Sequence, residues 1–200
     1  MVSERVERTS TLSNPAADGA PAPTITPILS TSRKIMLAFT VLILAYGADQ
    51  LTKYWVQHSM ELGQKIPVLG DFMRWYYILN PGAAFSMGEN HTWIFTLIMA
   101  IALVVTLYNL LKARAVVWVV TLALLAGGIA GNLTDRLFRA PGFGVGHVVD
   151  FISVGNFAIF NIADSCICVS MALLVLWVFR GIKIDGTRAE DHPADSRKNS

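Results

Sequence analysis

Three uncharged apolar runs, residues 92–111, 115–133 and 165–179, constrain this chain more than any other feature. A helix needs about 20 such residues to cross a hydrocarbon layer, and no other element closes its own backbone hydrogen bonds there. The third run is slightly short unless Ala163 and Asp164 lie inside it. A fourth run, 35–56, is apolar but interrupted by Asp49 and Lys53. Only 15% of the 200 residues are Asp, Glu, Lys or Arg, against about a quarter in soluble domains, so the count is four membrane helices.

The net charge of +2 gives no nucleic-acid footprint, and the placement of the basic residues says more than their sum. With both ends in the cytoplasm, eleven Lys and Arg fall inside and five outside, the orientation that the positive-inside rule favours. Residues 1–32, rich in Ser, Thr, Pro and Ala, carry no periodicity and are expected to be a disordered cytoplasmic extension; 184–200 reads as a similar tail. The small residues before Asp49 resemble a signal-peptide cleavage site, but the long leader and the continuation through DQLTKYWV argue for a retained span.

Between the first two spans lies an insert of about 57–90, where KIPVL and FMRWYYIL are separated by Gly70 and Asp71, which predicts a small outer hairpin. Trp75, Tyr76 and Tyr77 suit either the headgroup layer or packing on the helices. The loop from about 134 to 160 is expected to turn back at PGFGVGH and SVGN. Cys166 and Cys168, two apart on a helix, point to different sides and cannot pair. The fold class is thus an all-α polytopic membrane domain over 33–183, with a small extracytoplasmic β element and a re-turning outer loop.

Acidic groups in or beside a span demand a partner, a wet cavity or a function. On one continuous helix, Asp150 and Asp164 would stand roughly 21 Å apart. Gly155 and Asn156 break such a helix, so the chain can fold back and bring Asp150, on a loop or short strand, to Asp164 at the start of the fourth span. Asn161, three residues earlier, can cap that span. Two carboxylates in proximity share a proton near neutrality and can serve as acid and base at once on a water and an amide carbonyl. The competing reading is that each aspartate caps a helix or pairs with a cation.

Three further polar sites map to the same outer side. In GGIAGNLTDRL, Asp135 and Arg136 are adjacent and need separate partners; Arg136 can hold a carboxylate or a substrate carbonyl, with Asn132 one turn before it on the same face. The glycines there also permit close helix packing. In LNPGAAFSM, Pro81 and Gly82 turn the chain and Asn80 offers an amide. In DQLTK, Asp49 and Lys53 are four apart and can pair along the helix, while the clustering with the other sites points to function.

Taken together, NPGAAFS, GGIAGNLTDR, HVVDFI and FNIADS resemble the bacterial lipoprotein signal peptidases, signal peptidase II, in order and in number of spans, from about Asp49 to the end of the fourth span. The resemblance implies a membrane aspartyl endopeptidase of the bacterial inner membrane that acts on diacylglyceryl-modified prolipoproteins near the outer face, with membrane lipids as surroundings. It implies Asp150 and Asp164 as the catalytic pair, and Asn80, Asn132, Arg136, Asn161, Asp49 and Lys53 as residues that orient the pair or the substrate. No metal or organic cofactor is implied. His58, His91, His147 and His192 are scattered without a zinc-binding pair. Two other classes compete: a small proton-coupled transporter, disfavoured because the acids sit at one surface, and a scaffold whose polar groups merely hold helices together. Oligomeric state is not legible.

Overall fold

In the computed structural model, residues 26–82, 92–155 and 158–188 are described. Most of the N-terminal extension, the tail beyond 188, the GAAFSM motif from Ala83 onward and Asn156 lie outside the described residues. Among the described residues, four helices are long and apolar enough to cross a membrane: α1 (Thr31–Ser59), α2 (Thr92–Lys112), α3 (Val116–Phe138) and α4 (Ile162–Phe179). At about 1.5 Å per residue, the 29 residues of α1 reach about 44 Å, longer than a hydrocarbon core of about 30 Å. The excess is taken up by tilt or by turns beyond the apolar layer, and the second half of the helix carries the buried Asp49 and Lys53.

Helix α3 is the centre of the bundle, packed against all three others, and its small residues let them approach. A Cβ on Gly127 would come within 2.8 Å of the Leu42 carbonyl and of Ala45 Cβ on α1. One on Gly128 would meet the Ala163 carbonyl of α4 at 2.7 Å. On Gly131 it would meet Asp49 Oδ2 at 2.5 Å. The outward faces are the reverse: Phe39, Leu44, Leu51, Val104 and Leu111 are exposed, as a bilayer requires of surface that water would reject.

The β element is larger than the expected hairpin. Strands β1 (Lys65–Leu69), β2 (Met73–Asn80), β3 (Val148–Val154) and β4 (Ala158–Phe160) form one antiparallel sheet in the order β1-β2-β3-β4. The insert after α1 thus pairs with the loop after α3, and Ile78 stands opposite Asp150. A second correction concerns the start of that loop: residues 134–138 belong to α3, because Asp135 and Arg136 find buried partners that let the helix continue. Gly155, at φ +55°, makes the turn beyond β3.

Two apolar clusters bracket the bundle. At the sheet end, Val56, Met60, Tyr77, Val149, Phe151 and Ile152 are buried together. At the opposite end, Leu110, Ala113, Val119, Leu122 and Ala123 pack with Ile184 and neighbouring residues. There the chain before α1, the α2–α3 connection and the turn after α4 are stitched by backbone bonds: Arg114 N–H to Ile184 O (3.1 Å), Val116 N–H to Pro27 O (3.1 Å) and Lys183 N–H to Thr187 O (2.8 Å).

Candidate active site

Asp150 is supplied by the middle of β3 and Asp164 by the first turn of α4. Asn161 explains why they meet. It is the N-cap of α4, accepting the Asp164 N–H on Oδ1 at 2.9 Å, while Asp164 Oδ2 accepts the Asn161 N–H at 3.2 Å, a reciprocal capping box. With its carbonyl side engaged in the cap, the amide nitrogen turns away from the helix and donates to Asp150 Oδ1 at 2.7 Å. One asparagine therefore touches both carboxylates.

A second amide works beside it. Asn132 of α3 donates to Asp164 Oδ1 at 2.7 Å, and its own oxygen accepts from Asn161 Nδ2 (3.1 Å) and Lys53 Nζ (2.8 Å). Two donors aimed at that oxygen fix which way the amide points. Asn80 completes the set around Asp150, donating to Oδ2 at 2.9 Å. Since side chains alternate along a strand, Asn80 shares a face with Ile78, the residue opposite Asp150.

Of the two kinds of partner its chemistry suggested, a carboxylate and a carbonyl, Arg136 has carbonyls, those of the chain's own backbone. Rather than a carboxylate, its guanidinium holds backbone carbonyls: Asn80, Pro81 and Gly146 on Nη1 at 3.0–3.1 Å, and Gly82 on Nη2 at 3.1 Å. It thereby pins the turn after β2, and with it Asn80, to the loop before β3. Thr92 and Thr96 of α2 support the same loops, donating to Pro81 O (2.6 Å) and Gly144 O (2.7 Å).

Asp49 and Lys53 pair along α1 at 2.8 Å, both fully buried, as their spacing allows. The pairing is only part of their work. Lys53 Nζ also lies 2.8 Å from Asp135 Oδ2, and Asp49 Oδ1 accepts the Ala163 N–H of α4 at 2.9 Å. Sequence reasoning noticed Asp135 without giving it a partner, and it missed Gln50 and Arg139, which donate to Asp135 Oδ1 at 3.4 and 2.6 Å. The signal for Asp135 was present: a lysine buried in a bilayer-spanning protein has three hydrogens to satisfy, and a single i+4 aspartate does not suffice.

Three cations, Lys53, Arg136 and Arg139, thus face four carboxylates, Asp49, Asp135, Asp150 and Asp164, one negative charge in excess if all ionise. Asp150 lies outside the spans, and its carboxyl is pushed up to about 7, first by burial and then by the charge of Asp164; the amides of Asn80 and Asn161 and the Lys53 charge oppose the rise. Among the described residues no group of three or more His, Cys, Asp and Glu has the arrangement to hold a metal ion. Cys166 and Cys168 are both free thiols.

A family model described as Signal peptidase (SPase) II matches residues 41–180. The chain is 43% identical to the lipoprotein signal peptidase of Leifsonia xyli over 183 residues, 91% of this chain and 83% of that one. It is 44% identical to that of Streptomyces coelicolor over 159 residues, 80% of this chain and 78% of that one. A solved bacterial membrane enzyme superposes with a TM-score of 0.63 at 28% identity, covering 78% of this chain and 92% of its own. With four apolar spans and an aspartate-rich centre where β3 meets α4, the chain belongs to the signal peptidase II family.

Proposed function

We propose that this chain is an aspartic endopeptidase that removes the signal peptide from diacylglyceryl-modified prolipoproteins, using Asp150 and Asp164 to activate water. The relatives are lipoprotein signal peptidases, which supports the substrate class. The observation that carries the chemistry is the pair of carboxylates from two different elements, tied together by Asn132 and Asn161. The excess negative charge of the cluster and the raised Asp150 carboxyl both favour one proton kept on the pair at neutrality.

In the reaction, the ionised carboxylate takes a proton from water as its oxygen attacks the scissile carbonyl, and the protonated one donates to the carbonyl oxygen. Collapse of the tetrahedral intermediate breaks the C–N bond, with a proton passed back to the leaving amine. No covalent intermediate forms. Asn80 and Asn161 hold Asp150, Asn132 holds Asp164, and Arg136 acts on the frame around them.

Orientation follows from charge and connectivity. With both termini cytoplasmic, the ends of α1 and α3, the start of α4 and the sheet lie on the outer side of the bacterial inner membrane. A lipidated substrate favours that depth, since each methylene drawn into water costs about 0.8 kcal/mol and the anchor stays in the bilayer while the peptide reaches the sheet end. Residues 33–183 form the protease domain, flanked by cytoplasmic extensions.

The test is cleavage of a purified diacylglyceryl-modified prolipoprotein by wild type, Asp150→Asn and Asp164→Asn in nanodiscs, with and without chelator. Loss of cleavage in both folded variants and no effect of chelator is the expected result. Retained cleavage in either variant makes that aspartate structural and ends the dyad reading.

A further inference from the structure

Asp135 is fully buried, and its contacts run in two directions. Its Oδ2 pairs with Lys53 Nζ at 2.8 Å and also accepts the Val149 N–H at 3.2 Å. Its Oδ1 takes Arg139 Nε at 2.6 Å and Gln50 Nε2 at 3.4 Å. Val149 immediately precedes Asp150 in β3. Lys53, for its part, has three hydrogens and three acceptors at 2.8 Å: Asp49, Asp135 and Asn132.

These contacts form two short routes from one anion. Through Val149, Asp135 fixes the backbone that carries Asp150. Through Lys53, it holds the ammonium against the oxygen of Asn132, which leaves the amide nitrogen of Asn132 facing Asp164. Were the ammonium free to shift, only Asn161 Nδ2, at 3.1 Å, would hold that orientation, and any Asn132 that flipped would present its oxygen to a carboxylate oxygen and lose the donor to Asp164.

We propose that Asp135 is a positioning residue for the proteolytic reaction, setting Asp164 through Lys53 and Asn132 and Asp150 through the Val149 amide. The inference rests on the reading of Asp150 and Asp164 as the reacting pair. A carboxylate needed only to neutralise two cations has no use for the strand amide, and that contact distinguishes the roles.

The charged groups around Asp135 and the pair are Asp49 and Lys53 from α1, Arg136 from α3, Arg139 at the C-cap of α3, Asp150 from β3 and Asp164 from α4. Asp135→Asn keeps an acceptor for Val149 and removes a negative charge, so every electrostatic change makes ionisation of the pair easier. Its alkaline pH limb is expected to move to lower pH. In the full chain, in nanodiscs with the same prolipoprotein, kcat is expected to fall by about 10- to 100-fold with KM within about threefold. Asp135→Glu keeps the charge and displaces it; its limb stays at the wild-type position while kcat falls by about 3- to 10-fold.

Wild-type kcat and pH limb in folded Asp135→Asn overturn the proposal, as does activity that merely tracks the folded fraction with an unmoved limb. Should Asp135→Asn fail to fold, Asp135→Glu decides alone: wild-type kcat or a displaced limb overturns it. Inactive Asp150→Asn and Asp164→Asn beside a wild-type-like Asp135→Asn would sink this inference only. Cleavage by either dyad variant would sink the reading beneath it.

Discussion

The ammonium of Lys53 lies 2.8 Å from the side-chain oxygen of Asn132, across the interface of α1 and α3, with neither group open to solvent. A charge so placed is tolerable only with its partners complete. Removing one member of a buried ion cluster leaves its counter-charges stranded, at a cost of about 3–5 kcal/mol.

Lys53→Met is accordingly expected to lower the unfolding midpoint in detergent sharply, because Asp49 and Asp135 lose their shared cation. Lys53→Arg should not restore activity, since a planar fork cannot replace three donors arranged around one nitrogen. Thermal unfolding and cleavage measured on both variants check this; an active Lys53→Arg would contradict it.

Asn161 has two duties that substitution can separate. Ser is a good N-cap but offers no amide donor, so Asn161→Ser should retain α4 stability to within about 1 kcal/mol yet lose the contact to Asp150. We expect folded protein with strongly reduced kcat, whereas Asn161→Ala should lose both stability and activity. Equal activity of Asn161→Ser and wild type would show that the amide is not needed.

Helix packing predicts a contrast between two glycines. Gly131→Ala drives a Cβ into the Asp49 carboxylate and should destabilise by about 1–3 kcal/mol while disturbing cleavage. At Gly47 a Cβ meets nothing within 4 Å, so Gly47→Ala should be neutral or stabilising by about 0.5–1 kcal/mol. Paired melts in one detergent settle the comparison.

Because the folded Asp150 carboxyl is raised to about 7 from an ordinary value of 3.8, the folded state binds its proton more tightly than the unfolded state does. Its contribution to stability is therefore fully present below about pH 4 and is lost as pH rises toward and through about 7. In wild type, cleavage should decline on the alkaline side of about pH 7 as the pair loses its proton. Asp150→Asn should flatten the corresponding part of the stability curve. An activity profile flat to pH 9 would argue against a shared proton.

The four spans were legible because apolar length is a local property, and the turn back toward Asp164 was legible because the Gly155–Asn156 break and the Asn161 cap are local signals too. The pairing of β2 with β3 was not, since nothing in RWYYILN states that its partner lies some 70 residues on. Arg136 carries the same lesson: its fork suits carboxylates and carbonyls alike, and only the fold of the 80–82 turn decided for carbonyls. Lys53 was read as half of an i,i+4 pair because that partner is visible in sequence, while Asp135 and Asn132 reach it only through the α1–α3 contact.

The shared sheet also sets an order of assembly for a nascent chain. Strands β1 and β2 emerge ahead of the second span, but β3 and β4 follow the third, and Asn161 and Asp164 are built into the fourth. Before the fourth span is delivered, Asp150 has Ile78 and Asn80 of β2 beside it but lacks Asn161 and Asp164. On the proposed two-aspartate reading, an intermediate without its fourth helix is expected to be proteolytically silent.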